Sequence, residues 1–590
     1  MSMFSDIKVM GTAMQDAARK IQNIEEEFEE LTGAEIFVKS LIAEGVDTIF
    51  GYPGGAILSV YDKLFEEHNL RHILIRHEQG GTHEADGYAR ATGKPGVILV
   101  TSGPGATNTV TGIATAFMDS IPLVVFTGQV ASSMIGNEAF QEADIIGITR
   151  SITKHSYLVK NVEDLAETIH KAFYIAKTGR PGPVLVDLPK DMLSTRTKYN
   201  PNPKPVRLRG YKPTIKGSYP QIRRAAELIM SAKKPVIYAG GGVVSGNAAA
   251  ELRELAFTLN APVTTTLLGL GAFPETHELS LGMLGMHGTW YANMAVTECD
   301  VLIAIGARFD DRVTGRVSDF AKNAKIIHID IDPSCISRNI PVDIPIVGHV
   351  KNVLADLIPL VHRLDCDEWL ETIKIWKKEH PLRYKDSDKV LKPQKVIQII
   401  SRLTNGEAII TTDVGQHQMW TAQYYKFVHP RSIITSGGLG TMGFGFPAAV
   451  GAAVGCPDRT VVAITGDGGF QMTSMELATA VLHKIPVKIV ILNNGYLGMV
   501  RQWQKLFFGG RYSHTNLGTS NPDFIKLAES YGAIGFRVKT AKEFEQTFKK
   551  ILKIKDKPAL IEVFVDREEN VYPMVPAGAA IFEMIEGDEQ

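Results

Sequence analysis

Cysteine is scarce in this chain: four in 590 residues (Cys299, Cys335, Cys366 and Cys456), far apart and with no CxxC. That excludes a disulfide framework and offers no zinc-ligand spacing, so free thiols in a reducing compartment are expected. Net charge is nearly absent as well, with 63 Lys and Arg against 64 Asp and Glu for a formal −1. The balance argues against nucleic acid and against an anionic membrane surface as partners. Long lipid-compatible runs are missing too. Residues 95–118 and 432–457 contain no charged side chain, but the first holds Pro95 and Pro104, and the second holds Pro447, Pro457 and seven glycines. The buried strands, turns and packed helices of an α/β protein are the better reading of both. The first twenty residues lack the apolar run of about 7–15 residues that a secretory signal needs. They lead into the acidic IEEEFEE, which argues against a transit peptide, so a cytoplasmic or organelle-matrix location (plastid stroma included) is expected.

What the chain has in quantity is glycine, 54 residues, with 44% hydrophobic and 22% charged residues, a globular composition able to bury a large core. At roughly 150 residues per domain, the length suggests about four domains or three large ones. Apolar, β-rich runs (VILVTSG, PVLVDLP, PVIYAGG, VLIAIGA, VVAITGDGG, VKIVILNNG) alternate with helical patterns, which predicts parallel sheets flanked by helices. A Pro-rich, basic stretch and a densely charged helical stretch interrupt the alternation. The division read from this is an N-terminal extension 1–32, α/β domains at 33–195, 217–362 and 393–570, a linker 196–216, a helical connector 363–392 and a tail 571–590. The predicted fold class is α/β with three doubly wound parallel-sheet domains.

The first and third domains repeat each other. Shifting residues 82–126 by 364 without a gap matches 12 of 45 positions, among them Gly87 with Gly451, Thr101 with Thr465, and Ala114-Thr115-Ala116 with Ala478-Thr479-Ala480. A gapless register favours internal duplication over two generic α/β units. The shift sets Met442 opposite Glu78, Asp467 opposite Gly103 and Asn494 opposite Val130, so the copies are fitted for different halves of one task.

Asp467 in Gly466-Asp467-Gly468-Gly469 and Asn494 in Asn493-Asn494-Gly495 both follow apolar strands and lie 27 residues apart, about one strand–helix–strand unit. Ligands bind outside the carboxyl ends of parallel strands. A carboxylate and an amide oxygen there suit magnesium or calcium bridging phosphate oxygens. The glycines allow close backbone approach, and a helix N-terminus after Gly469 would favour a diphosphate.

GDG followed at this interval by NN resembles the thiamine-diphosphate motif. Over residues 33–585 the chain is similar to the catalytic subunits of acetohydroxyacid (acetolactate) synthases. The resemblance is carried in order by GYPGGA (51–56), RHEQGGTHEADGYAR (76–90), SGPGATN (102–108), AFQE (139–142), LGMHG (284–288), GARFDDRVTG (306–315), GQHQMW (415–420), GLGTMGFGFPAA (438–449), LGMVRQWQ (497–504) and MVPAGAA (574–580).

The resemblance implies that Glu78 hydrogen-bonds the cofactor's aminopyrimidine and favours the imino tautomer that removes the thiazolium C2 proton. It makes Met442 the wedge that bends the cofactor, with Gly440 and Met499 lining the pyrimidine pocket. Val414, Gly415, Gln416 and His417 would lie on the diphosphate side with Gly466, Gly468 and Gly469. Tyr52, Pro53, Gly54, Pro104 and Asn108 would contact the cofactor from the first domain, Gly55 and Gln141 would flank the reacting centre, and Tyr496 would join Asp467 and Asn494 at Mg²⁺. Arg312 matches the arginine that takes the acceptor carboxylate and Trp503 the tryptophan that favours 2-oxobutyrate, while Val130, Phe140, Lys190 and Met286 complete the substrate pocket. On residue type alone, Glu78 reads as a surface carboxylate, Met442 and Trp503 as core, and Arg312 as an ion-pair partner of Asp310 or Asp311.

The middle domain lacks a GxGxxG fingerprint, because Gly240-Gly241-Gly242 is followed by Asp330 about 90 residues on instead of about 20. The family resemblance implies a Rossmann-like fold holding FAD, which the net reaction does not use. Its contacts would fall at Arg180, Gly240, Gly241, Gly242, Thr266, Leu267, Leu284, Gly285, Met286, His287, Gly306, Arg308, Asp310, Asp330 and Ile331. One departure stands out: the family reads Asp after the glycine of PIVG, and here Gly348 is followed by His349, which removes a carboxylate expected near the flavin.

The implied activity is decarboxylation of pyruvate and carboligation to a second pyruvate, giving 2-acetolactate, or to 2-oxobutyrate, giving 2-aceto-2-hydroxybutyrate. Implied partners are a second copy (homodimer or tetramer, with the site between subunits) and a small regulatory subunit. The tail 574–590 is expected to close over the site. Alternatives are a pyruvate oxidase, decarboxylase or other carboligase of the same fold, or a nucleotide-binding scaffold without catalysis.

Overall fold

The computed structural model describes residues 29–200 and 205–587. Most of the N-terminal extension (1–28), four linker residues (201–204) and the last three residues of the polar GDEQ end lie outside them.

Three six-stranded sheets dominate, each wholly parallel. In the first the spatial order is Arg71–Leu74, Thr48–Gly51, Gly96–Val100, Leu123–Gln129, Pro183–Pro189, His155–Leu158. In the third it is Ile433–Ile434, Ile409–Thr412, Val461–Gly466, Lys488–Asn493, Ala559–Phe564, Ile534–Val538. Counted along the chain, both read second, first, third, fourth, sixth, fifth. The 364-residue shift carries Val97 of one third strand onto Val461 of the other, so the duplication seen in sequence is a duplication of topology. The middle sheet runs Ser280–Met283, Val263–Thr265, Pro235–Ala239, Val301–Ile305, Lys325–Asp330, Ile344–Val347, the 3-2-1-4-5-6 order of a dinucleotide-binding fold.

Central strands such as Val301–Ile305 and Gly96–Val100 are buried along their whole length, as strands covered by helices on both faces must be. The middle domain has a core of its own, whereas one continuous core joins the first and third domains, running from Phe50 and Ile98 to Phe446 and Ile489. That joint core is closed where helix Glu78–Thr92 crosses helix Gly445–Gly455. A Cβ at Gly87 would collide with the carbonyl of Ala448, and one at Gly451 with the carbonyl of Glu84. Both pairs are related by the same 364-residue shift, so the helices meet as a pseudo-symmetric pair and only glycine permits the approach.

Beyond the sheets, Arg196–Lys198 pairs antiparallel with Glu30–Thr32, so the stretch read as linker begins as an edge strand. The connector carries helix Asp367–Glu379, anchored by buried Trp369, whose Nε1 donates to Pro235 O at 3.2 Å. No helix among the described residues is long and apolar enough to cross a membrane.

Candidate active site

Strand Val461–Gly466 delivers Asp467 and its neighbour Lys488–Asn493 delivers Asn494 at adjacent carboxyl ends of the third sheet. The helix begins at Asp467 itself and runs seven residues to Thr473, earlier than the start after Gly469 that the sequence suggested. Extended Gly466 completes the strand and the chain turns at once. Asp467 is 1% exposed, and burial pushes its carboxyl up to about 6, against the opposing pull of Asn521, whose Nδ2 donates to Asp467 Oδ2 at 2.7 Å. Asn494 Oδ1 accepts the N–H of Tyr496 at 2.9 Å, and its Nδ2 faces Gln416 Oε1 at 3.4 Å. Among the described residues no cluster of three or more His, Cys, Asp and Glu could hold a metal ion. The donor set is one carboxylate with neutral oxygens, the kind that binds Mg²⁺ together with phosphate oxygens.

On the other side of Val461–Gly466, the neighbouring strand Ile409–Thr412 leads into Asp413. Its carboxylate accepts the N–H groups of Val414 at 2.9 Å and of Gly443 and Gly445 at 3.0 Å each. Asp413 thus fixes both the Val414–His417 segment and the turn after Met442. Sequence reasoning missed it, although an acid directly ahead of VGQH was a usable signal. His417 is buried, which pushes its imidazole down to about 4 and keeps it neutral, and its Nε2 has no partner among the described residues. The ring lies against Gly415 and Gly466, where added Cβ atoms would stand 3.0 and 3.2 Å from Cε1. The ring hydrogen-bonds the Asp413 backbone, and its Nε2 is left as an unmatched polar atom beside two glycines. Gly440 has φ +69, with Val414 Cγ1 4.0 Å from its Cβ position, and Met442 reaches Gly468, its Cε 3.6 Å from a Cβ built there. Trp503 packs edge to face on Phe507, with ring centroids 5.6 Å apart.

In the first domain, Glu78 is the first residue of its helix, behind an N-cap at His77. Its Oε2 accepts from Asn108 Nδ2 at 2.9 Å, and Gly105 comes close enough that a Cβ would stand 3.4 Å from Oε1. Gln141 has φ +61 and abuts Gly103, also at φ +61. Gly54 packs on Thr101, whose Oγ1 accepts the N–H of Ala56. Phe140 is 88% exposed, and Lys190, at a helix start, is exposed too. Among the described residues no hydrogen bond or ion pair joins Glu78, Asn108 or Gln141 to Asp467, Asn494 or His417. Within one chain the expected site residues fall into two groups that no such bond links.

The middle-domain residues converge at the carboxyl ends of their sheet. Gly240 and Gly242 pack on Gly306 with no room for a Cβ at any of the three. Asp330 is buried, its carboxyl pushed up to about 6, and its Oδ1 accepts the N–H of Asp332 at 2.8 Å. Arg180 reaches over from the first domain to Asp332 at 3.3 Å. His349 caps helix Val350–Leu357, and its ring sits beside Gly246. Arg312 is largely exposed: its Nε is 3.8 Å from Asp311 and its Nη1 4.0 Å from the sulfur of Met286. Met286 N–H donates to Arg312 O at 2.8 Å, and Val575 of the tail donates to Met286 O at 2.8 Å. The tail thus lies against the residues expected to receive the acceptor substrate.

Comparison with known proteins identifies all three sheets. The N-terminal TPP binding domain of thiamine pyrophosphate enzymes matches residues 31–148, the central domain 222–357 and the C-terminal TPP binding domain 413–563. The acetolactate synthase large subunit of Buchnera aphidicola subsp. Schizaphis graminum is 53% identical over 561 residues, covering 94% of this chain and 98% of that protein. The chain belongs to the acetolactate synthase large-subunit family. Its kinship is spread widely: the isozyme 3 large subunit of Escherichia coli is 49% identical over 566 residues (94% of this chain, 98% of that one). The probable acetolactate synthase large subunit of Methanocaldococcus jannaschii is 52% identical over 570 residues (94% and 95%). Within this family, the first and third sheets are the thiamine pyrophosphate domains and the Rossmann-ordered sheet is the central one.

Proposed function

We propose that this chain is the catalytic subunit that condenses pyruvate with a second 2-oxoacid to make 2-acetolactate or 2-aceto-2-hydroxybutyrate. The observation that carries the reading is the asymmetry of the duplicated scaffold: one copy presents Glu78 and the other Asp467 and Asn494 at equivalent sheet ends. Thiamine diphosphate, when bound, supplies the electron sink that lets a 2-oxoacid lose CO₂. The chain's own residues bind, orient and move protons around it. Asp467, Asn494 and the main chain at Tyr496 would hold Mg²⁺; His417, with Gly415 and Gly466, would line the diphosphate side; Met442 and Gly440 would shape the ring-binding side. Glu78, oriented by Asn108, holds or releases a proton at its carboxyl oxygens. Arg312 receives the acceptor carboxylate, with Met286, Val130, Phe140 and Trp503 as its apolar surroundings and Lys190 at the rim.

Among the described residues no hydrogen bond or ion pair links the Glu78 group to the Asp467 group within a chain, which supports a site completed by a second copy, and exposed Phe140 fits a surface that such a copy covers. The middle domain would hold FAD, with Asp330 and the Gly240–Gly242 turn, both at the carboxyl ends of its strands, among the residues that bind it. Relatives named large subunits imply a small partner subunit.

The test is incubation of purified protein with pyruvate, thiamine diphosphate and Mg²⁺, with and without FAD, followed by acid conversion of acetolactate to acetoin. Acetolactate without peroxide is the expected product. Oxygen-dependent peroxide, or acetaldehyde alone, would move the function to an oxidase or a decarboxylase of the same fold.

A further inference from the structure

The helix that starts at Glu78 carries a second glutamate, Glu84, with no exposed surface and no N–H or O–H donor to either carboxyl oxygen among the described residues. The carboxyl beside it is that of another fully buried glutamate, Glu476 of the third domain: Gly80, one helical turn before Glu84, lies so near that a Cβ there would run into Glu476 Oε1, and the Glu476 carboxylate, after burial itself, pushes the Glu84 carboxyl up. Glu476 is well supplied with donors. It accepts the backbone N–H of Arg76 at 3.1 and 3.2 Å, that of His77 at 2.9 Å, and the hydroxyl of Thr479 at 2.5 Å. Two neighbouring carboxyls with no exposed surface do not both ionise. Every N–H and hydroxyl donor at the pair goes to Glu476, so the single proton resides on Glu84 and is donated to Glu476. The Arg76 guanidinium is bonded to the carbonyls of Leu74 and Ile75 at 3.1 Å each, and its pull on the Glu84 carboxyl is outweighed by burial and by Glu476.

Packing does not explain this arrangement. The duplicated copy places Ala448 where Glu84 stands and Gly112 where Glu476 stands, so the other side of the same helix crossing closes with small residues. Burying two acids where an alanine and a glycine suffice is costly. The acids occur only on the side that bears Glu78, not on the side of Met442. Gly80 shows how close the fit is, because a Cβ there would collide with the Glu476 carboxylate.

We propose that Glu84 and Glu476 share one proton and act together as a positioning device for Glu78. Glu476 grips the N–H groups of the two residues ahead of Glu78 and so fixes where its helix begins, while protonated Glu84 holds Glu476 in place. The inference rests on the role of Glu78 given above.

Two readouts test it. Infrared spectra of the cofactor-free protein at neutral pH should contain a protonated-carboxyl stretch that Glu84→Gln removes. Deuterium exchange at C2 of bound thiamine diphosphate should be native in Glu84→Gln, whose amide still donates to Glu476. It should be about 10²-fold slower in Glu476→Ala, the scale of loss when a reacting group is misplaced by an ångström. Glu84→Leu, which removes the donor and keeps an apolar filling, should be slowed in the same direction and carries the test if Glu476→Ala does not fold. Absence of the carboxyl band, or native exchange in folded Glu476→Ala and Glu84→Leu while Glu78→Gln is slow, would overturn the proposal. Native exchange in Glu78→Gln would instead overturn the reading of Glu78 beneath it.

Discussion

The carboxylate of Asp119 accepts the backbone N–H of Gly438 at 2.7 Å, across the boundary between the first and third domains. The reciprocal bond exists: His483 Nε2 accepts the N–H of Leu74 at 2.9 Å, and both pairs of equivalents are 364 residues apart. The duplicated halves clasp each other through one ancestral position that has become Asp in one copy and His in the other. Asp119 also takes the N–H of Gly437 at 3.0 Å and Arg90 Nη2 at 2.9 Å, so it holds the approach to Gly440 and Met442. His483 holds the strand that leads to Glu78.

Asp119→Ala leaves Arg90 short of one partner and removes the acceptor of two backbone N–H groups. Loss of one member of a buried charge pair costs about 3–5 kcal/mol. Denaturant unfolding should show a loss of that order, accompanied by weaker thiamine diphosphate binding. An unchanged midpoint would mean that the clasp carries no load.

Asp467→Ala should raise the Mg²⁺ concentration needed for half-maximal activity by about tenfold or more, because it removes the one carboxylate of the proposed site. Titration of activity against Mg²⁺ at saturating thiamine diphosphate reads this directly, and an unaltered curve would place the metal elsewhere.

Much of this could be read from the chain before any coordinates. The duplication was legible because residues 82–126 and 446–490 keep one register, and Asp467 and Asn494 were legible because both follow apolar strands. The acids that organise the site were not. Asp413, Glu476, Glu84 and Asp119 bond backbone groups or one another across turns and domain boundaries, as far apart as Glu476 and Arg76, and nothing local marks a carboxylate that will be buried. The early helix start at Asp467 and the edge strand Arg196–Lys198 were missed for a related reason: tertiary pairing decides both.

Trp503→Leu removes the aromatic wall proposed to favour the larger acceptor. With pyruvate and 2-oxobutyrate both present, the ratio of 2-aceto-2-hydroxybutyrate to 2-acetolactate should fall by about tenfold, the scale set by small changes in an apolar pocket. An unchanged ratio would return Trp503 to a packing role on Phe507.

Glu275 gives a pH signature of the seam between the middle and third domains. It borders a small cavity shared with Gln423, whose Oε1 has no partner, and its Oε2 accepts the N–H of Phe427 at 2.9 Å. Burial pushes its carboxyl up from 4.5 to about 7, with Lys426 and the Phe427 N–H pulling the other way. The folded protein thus holds this proton more tightly than the unfolded chain. The resulting stabilisation is complete below 4.5 and is lost as pH rises through about 7. Glu275→Gln keeps the acceptor and does not titrate, so its thermal midpoint should gain on the native protein between pH 5 and pH 8. A constant difference would contradict the shift.

The account stands most directly on whether Glu78 of one copy serves Asp467 of another. Glu78→Gln and Asp467→Ala chains, each expected to lose about 10²–10⁴ in acetolactate formation on its own, should be co-expressed with different affinity tags and the mixed species purified. Recovery of acetolactate synthesis in the mixed species, where one site combines intact Glu78 with intact Asp467, is the predicted result. A mixed species as inactive as either parent, or a Glu78→Gln protein with native activity, would contradict it.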